Sequence, residues 1–396
     1  MSIHLPKLER RPELDALRGL FLVWMTLTHL PTRFSDFVNQ PIGFLSSAEG
    51  FVFMSALLVG RIYIRDMAEN EAGVHLKLFK RSLKIYGYHL IMLFLAFSVA
   101  ATYAAHTHKA ALTNLFDFYL AHPATAIVGS VLLLYCPPLL DILPMYVIFL
   151  VFTPIVLSIA VRFGWKKVLA ASGLVWLGAQ FGLRDVVYGF VEHITHLRIP
   201  LQETGAFNLF AWQAVWTVGL WLGAELAHGT FPLRKVPRWV GGVCFVTCLF
   251  FIGVRFSWLG PHLTPQALGL KLDKWQIGWL RVVNLMCFTI VFYFLRRYVI
   301  KIVSREPLLT LGKASLQVFC AHLFFVFIGL GLLYGEVAQL QGWTAAVLIA
   351  VTFISLIWVA AREVRKRHAR KTQGTPPVTA DQPPPLVTAD PQSVSR

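Results

Sequence analysis

Residues 14–31 read LDALRGLFLVWMTLTHLP, an apolar run with an arginine, Arg18, near its start and a histidine, His29, near its end. About 20 apolar residues let a helix cross a hydrocarbon core about 30 Å thick. The run is therefore read as a first membrane span. Its ionisable side chains are its unusual feature, because such groups are costly in lipid and mark functional sites there. Arg18 and His29 are eleven residues apart. On a helix that spacing advances about 16.5 Å and returns to within about 20° of the same face. Leu22 and Met25 lie between them on that face. The two polar groups thus look along one line through the membrane, Arg18 near the cytoplasmic side and His29 near the outer side.

The rest of the chain has the same character. Of 396 residues, 56% are hydrophobic and only 14% charged, with mean hydropathy +0.62. A soluble domain carries about a quarter charged residues, so lipid is the expected solvent for much of this surface. Further apolar runs fall at 44–64, 83–104, 142–161, 167–183, 209–227, 238–258, 276–298, 314–334 and 343–361. The expectation is an all-α integral membrane protein with about ten transmembrane helices. A shorter run, 124–139, ends in CPPLL and is read as re-entrant or interfacial. Residues 1–371 form one polytopic domain, and the Pro-rich stretch 372–396 is expected to be a disordered tail.

A net charge of +16 raises the possibility of nucleic-acid binding. The placement of the charge argues otherwise. With a cytoplasmic N-terminus, 26 of the 36 Lys and Arg fall in cytoplasmic segments or at their edges, and six fall in external loops. This is the positive-inside bias. It puts both termini in the cytoplasm and leaves no basic surface that needs a nucleic acid. A full span at 124–139 would instead place Arg162, Lys166 and Lys167 outside. The stretch 66–82, DMAENEAGVHLKLFKRS, reads either as an amphipathic helix on the inner surface or as a connecting loop. The five cysteines form no CxxC pair and read as packing residues. His193 and His196 beside Glu192 have no further ligand near them, so no metal is expected. Trp212, Trp258, Trp275, Trp279 and Trp343 cluster near outer span ends, as an aromatic belt does, with sugar stacking as a second role.

Other polar groups sit inside the runs. Glu49, in SSAEGFVFMS, lies at a depth similar to His29. It either pairs with that imidazole and orients it, or caps the start of its own helix. Arg281 and Asn284 are one turn apart in WLRVVNLMCF. His322 is near the middle of SLQVFCAHLFFVF, and Asp141 opens DILPMYVIF. Helix–helix hydrogen bonding is the plainer reading of these four.

ELDALRGLFLVWMTLTHLP, QPIGFLSSAEGFVFMSALLVGRIY, DILPMYVIF and LGKASLQVFCAH together resemble the OpgC family over about residues 10–335. The layout is also similar to the broader membrane acyltransferase-3 group, whose first span carries an Arg, ten residues and a His. Here that pattern falls on Arg18 and His29. The resemblance implies a multi-pass protein of the bacterial inner membrane that moves a succinyl or other short acyl group from cytoplasmic acyl-CoA to hydroxyls of periplasmic glucans. No cofactor is expected beyond the acyl-CoA donor, and the partners are membrane lipid, acyl-CoA and glucan. In that reading His29 is the catalytic base and Glu49 orients it. Arg18, with Arg61, holds the CoA end. Arg281 or Asn284 stabilises the oxyanion or recognises the acyl carboxylate, with Asp141 and His322 as further candidates. The alternatives are a glycan or acyl-group transporter or flippase, and a non-catalytic scaffold that docks through its tail. Removal of 372–396 separates the last of these: glucan acylation measured in cells is expected to survive it.

Overall fold

The computed structural model describes residues 11–333 and 338–373, and these form helices joined by turns, with no strand among them. Ten long helices carry the fold: α1 (Pro12–His29), α2 (Ser47–Glu69), α3 (Glu71–Leu95), α4 (Ile142–Phe163), α5 (Trp165–Gln180), α6 (Leu209–His228), α7 (Arg238–Arg255), α8 (Trp279–Val303), α9 (Ser315–Leu332) and α10 (Gly342–Gln373). Each apolar run expected from the sequence coincides with one of them. By length and composition, six can cross a membrane: α2, α3 with its extension to Thr107, α4, α7, α9 and α10. The first of the remaining four, α1, opens with Glu13, Asp15 and Arg18 in its first two turns, and α5 has only 16 residues.

Local chemistry sets the helix boundaries. At the start of α2, Ser46 and Glu49 form a capping box: Glu49 accepts from the Ser46 amide at 3.0 Å, and the Ser46 hydroxyl also donates to the carboxylate. Such a box satisfies amides that a new helix leaves without partners. Asn70 ends α2 and caps α3, its side chain accepting from the Gly73 amide at 2.8 Å. The stretch 66–82 is therefore neither a loop nor a separate surface helix. It is the end of α2 and the first turns of α3, because a good N-cap restarts the helix one residue after it stops. Residues 124–139 hold a helix of nine residues, Pro123–Val131, followed by turns. Nine residues rise about 13.5 Å, too little to cross. The stretch 372–396 lies outside the described residues, apart from the two that close α10.

Two close approaches shape the bundle. The helices α2 and α6 meet through small residues, Ala56 and Gly60 on one and Gly219 and Gly223 on the other. A side chain at Gly60 would strike the Leu220 backbone, and one at Gly223 the Leu57 carbonyl. Small residues four apart let helix backbones approach and gain packing that lipid cannot supply. The second approach joins α1 to a short helix, Leu308–Lys313. There a side chain at Gly19 would meet the Leu308 carbonyl, and one at Gly312 the Asp15 carbonyl. This contact sets Lys313 and Ser315 against the first half of α1. One member of the expected aromatic belt departs from it. Trp212 is fully buried and donates from its indole to the Trp275 carbonyl at 3.1 Å, whereas Trp258 and Trp343 are exposed.

Replacing Gly312 or Gly223 by valine is expected to cost about 1–3 kcal/mol through overpacking, read as a lower melting temperature in detergent. Gly87 faces open space, so Gly87→Ala is expected to leave the melting temperature unchanged or raise it.

Candidate active site

Arg18 and His29 both face α9. Arg18 donates to the Ser315 hydroxyl at its first residue, and His29 Nδ1 lies 3.3 Å from His322 Nε2 two turns further on. The shared face read from the spacing is real, and its partner is a single parallel helix. The two imidazoles stack, with ring centres 5.6 Å apart and planes 16° from parallel. At 3.3 Å one facing nitrogen donates and the other accepts, so a neutral pair shares one proton across that gap. His322 is fully buried, and its Nδ1 has no hydrogen-bond partner among the described residues.

A cavity of about 250 Å³ opens beside Arg18. Arg18, Arg81, Lys84, Lys313 and Arg367 line its mouth, supplied by α1, α3, the 308–313 helix and α10, and no carboxylate lines it among the described residues. Arg367 is held in place: it donates to the Lys313 carbonyl at 2.8 Å and to Gln317 Oε1 at 3.4 Å. Arg18 Nε is buried without a hydrogen-bond partner among the described residues. Deeper, the wall becomes Ser55, Tyr146, Phe51 and Phe319. Tyr146 is fixed by its hydroxyl, which donates to the Phe51 carbonyl at 3.1 Å. Phe319 closes the inner end and meets His322 edge-on at 4.9 Å between ring centres. Leu22 and Met25, expected along this line, are instead packed in the core with 1% exposure each.

Two sequence expectations need correction here. Glu49 makes no hydrogen bond to His29. Its oxygens are taken by Ser46 and by Arg281, with which it forms an ion pair at 1% and 3% side-chain exposure. A carboxylate in so dry a place takes the nearest full charge rather than a neutral imidazole. Arg61 does not join Arg18: it is buried on α2, where that turn packs against α6 at Gly223, and it is not on the cavity wall. Arg81, Lys84, Lys313 and Arg367 stand there instead. The sequence shows them as basic residues at span ends, which the positive-inside bias already accounts for, so nothing in it marks them as convergent.

A second opening, of about 400 Å³, lies at the opposite end of the bundle. Asn39, Gln40, Arg255, Asp273, Lys274, Trp275 and Arg281 are on its wall. The 273–278 loop is pinned by four side chains of α5, α6 and the approach to α6: Trp176 to the Ile277 carbonyl at 2.9 Å, Gln180 to the Gln276 carbonyl at 2.8 Å, Asn208 to Gln276 Oε1 at 2.7 Å, and Trp212 to Trp275. This fixes Lys274 close enough to His29, Glu49, Arg281 and Asp141 to interact electrostatically. Burial lowers the Lys274 ammonium below its ordinary value, with Glu49 opposing the shift. Arg281 Nη2 and Arg255 Nε are buried without hydrogen-bond partners among the described residues. Asn284 is not on this wall. It accepts from the Phe44 amide at 2.8 Å, and so clamps the entry to α2. Asp141 precedes α4 and accepts from the Ala206 amide at 3.1 Å, tying the 196–208 loop to the bundle. Burial raises its carboxyl to about 6, against the pull of the Ala206 amide and Lys274.

Arg281→Met strands Glu49 in the interior and is expected to destabilise the protein by about 3–5 kcal/mol. Adding Glu49→Gln is expected to recover part of the loss. Thermal unfolding of the two single variants and the double variant measures the coupling.

The family model described as OpgC protein matches residues 10–369. No curated protein and no solved structure matches the chain.

Proposed function

Because this chain belongs to the OpgC protein family, we propose that it is a membrane O-acyltransferase that succinylates osmoregulated periplasmic glucans with cytoplasmic succinyl-CoA as donor. The family is one of glucan succinyltransferases, which makes the chain a membrane-associated transferase. The proposed topology is ten spans in the inner membrane with both termini cytoplasmic. The observation that carries the reading is a pair of polar openings that each approach one histidine pair: a mouth of five cations backed by Phe319, which meets His322, and an opening whose Lys274 lies within electrostatic range of His29.

In this reading the phosphates of CoA rest on Arg18, Arg81, Lys84, Lys313 and Arg367, which suit anions that cannot enter lipid. The pantetheine arm passes Ser55 and Tyr146 and displaces Phe319, bringing the thioester to His29. A glucan hydroxyl enters from the other opening. His29 accepts its proton as the oxygen bonds to the acyl carbon. The carbon–sulfur bond then breaks, and the proton passes to the CoA thiolate. His322 holds the second nitrogen of the pair and so selects the tautomer of His29 that can accept. Lys274 and the free nitrogen of Arg281 offer a counter-charge to the oxyanion, or to the far carboxylate of a succinyl group. Glu49 acts only by holding Arg281.

Purified protein in liposomes, given succinyl-CoA or acetyl-CoA inside and glucan outside, is expected to form an O-acyl ester. Its mass identifies the group. Solute movement without an ester would establish a transporter instead. His29→Ala is expected to lose about 10²–10⁴-fold in rate. Lys84→Gln with Arg367→Gln is expected to raise KM for acyl-CoA roughly tenfold, about 1.4 kcal/mol, with kcat little changed.

A further inference from the structure

A separate groove lies on another side of α1, between α1, α2, α6 and α8, and the proposed reaction does not use it. Its volume is about 200 Å³, and its walls are apolar, including Leu17, Phe53, Leu57, Leu222, Phe288 and Phe292. The groove exists because α8 packs mainly on α7 and touches α1 over a short stretch. The buried residues of α8 are Arg281, Asn284 and Val303, and its groove-lining residues Leu285, Phe288, Thr289, Phe292 and Tyr293 are only partly buried. Leu285 and Ile300 are both on the wall. Between them α8 rises about 22 Å, more than half of a hydrocarbon core about 30 Å thick.

Among the described residues, charged groups gather at one end only. Arg11, Arg234 and Arg296 stand at the mouth with one carboxylate, Glu13. Each arginine is oriented by the protein yet keeps donors to spare. Arg296 lies over the Tyr293 ring at 3.9 Å and donates to the Tyr293 carbonyl at 2.5 Å. Arg234 donates to the Gly229 carbonyl at 3.2 Å, and Arg11 approaches Glu13 at 3.8 Å. A guanidinium has five N–H donors, and no more than two are used in any of these contacts. Three cations against one carboxylate leave the mouth positive, at the end of a slot that is otherwise hydrocarbon-like.

A long apolar slot ending in guanidinium groups fits a molecule with an anionic head and an extended hydrocarbon chain. We propose that the groove is a binding site for one anionic phospholipid, its phosphate on Arg234 and Arg296 and one acyl chain between α2 and α8. A zwitterionic lipid has the same chains, but its ammonium group would meet the arginines. The site stands independently of the acyl-transfer reading.

Native mass spectrometry of the full-length protein in mild detergent, titrated with dioleoyl-phosphatidylglycerol or dioleoyl-phosphatidylcholine, tests this. Retention of one phosphatidylglycerol is expected, with a preference of at least about tenfold. Arg234→Gln with Arg296→Gln is expected to erase the preference. Thr289→Trp, which fills the slot from the loosely packed α8 and leaves the arginines intact, is expected to reduce phosphatidylglycerol retention. Its effect stands even if the double variant folds poorly. Equal retention of both lipids, a preference that survives the double variant, or full retention in Thr289→Trp overturns the proposal and leaves only ordinary boundary lipid.

Discussion

The ion pair between Glu49 and Arg281 is the contact on which its end of the bundle depends. Both side chains are almost wholly buried, and removing either leaves the other an uncompensated charge in the interior. The pair joins the first turn of α2 to α8, and Arg281 also reaches the Leu272 carbonyl at 3.2 Å. One turn later, Asn284 clamps the Phe44 amide. With Val303 these two polar residues are the buried positions of α8, while Val282, Leu285, Phe292 and Val299 pack against the core partly buried. Polar clamps fix its first turns, and along the groove its apolar residues are only partly covered. The groove between α8 and α1 follows from that.

The same pair decides what the site can do. It removes Glu49 from reach of His29, so the imidazole relies on His322 instead. It also leaves one Arg281 nitrogen unused beside Lys274, and the pinned 273–278 loop keeps that ammonium close by. Cations outnumber carboxylates on the described walls of both openings, and the rings of Phe51 and Phe319 line the first. In the proposed reaction both substrates are polyanions or polar chains that stay in water, and only the reacting atoms meet in the dry layer. An aromatic seal formed by Phe319 and Phe51 suits that need, because an apolar ring blocks water but yields to a thin flexible chain.

The ten long helices were legible from the chain alone, because the length and pattern of an apolar run are local properties. So was the start of α2, since Ser46 and Glu49 are three residues apart and the capping box needs nothing else. The common face of Arg18 and His29 was legible for the same reason: helical geometry alone sets it. The helix restart at Asn70 was missed because a polar, basic stretch fits a loop equally well until its cap is seen.

What only the tertiary structure decided is which helices stand next to which. The choice of Arg281 over His29 as the partner of Glu49, the convergence of Arg81, Lys84, Lys313 and Arg367 on Arg18, and the exclusion of Arg61 all depend on neighbours hundreds of residues apart in some cases. Sequence spacing fixes the angle and height of a residue on its own helix. It carries no information on the rotation of that helix against another, which here is set by glycine contacts at α2–α6 and at α1. A charge in a dry interior then pairs with whichever opposite charge that rotation brings nearest.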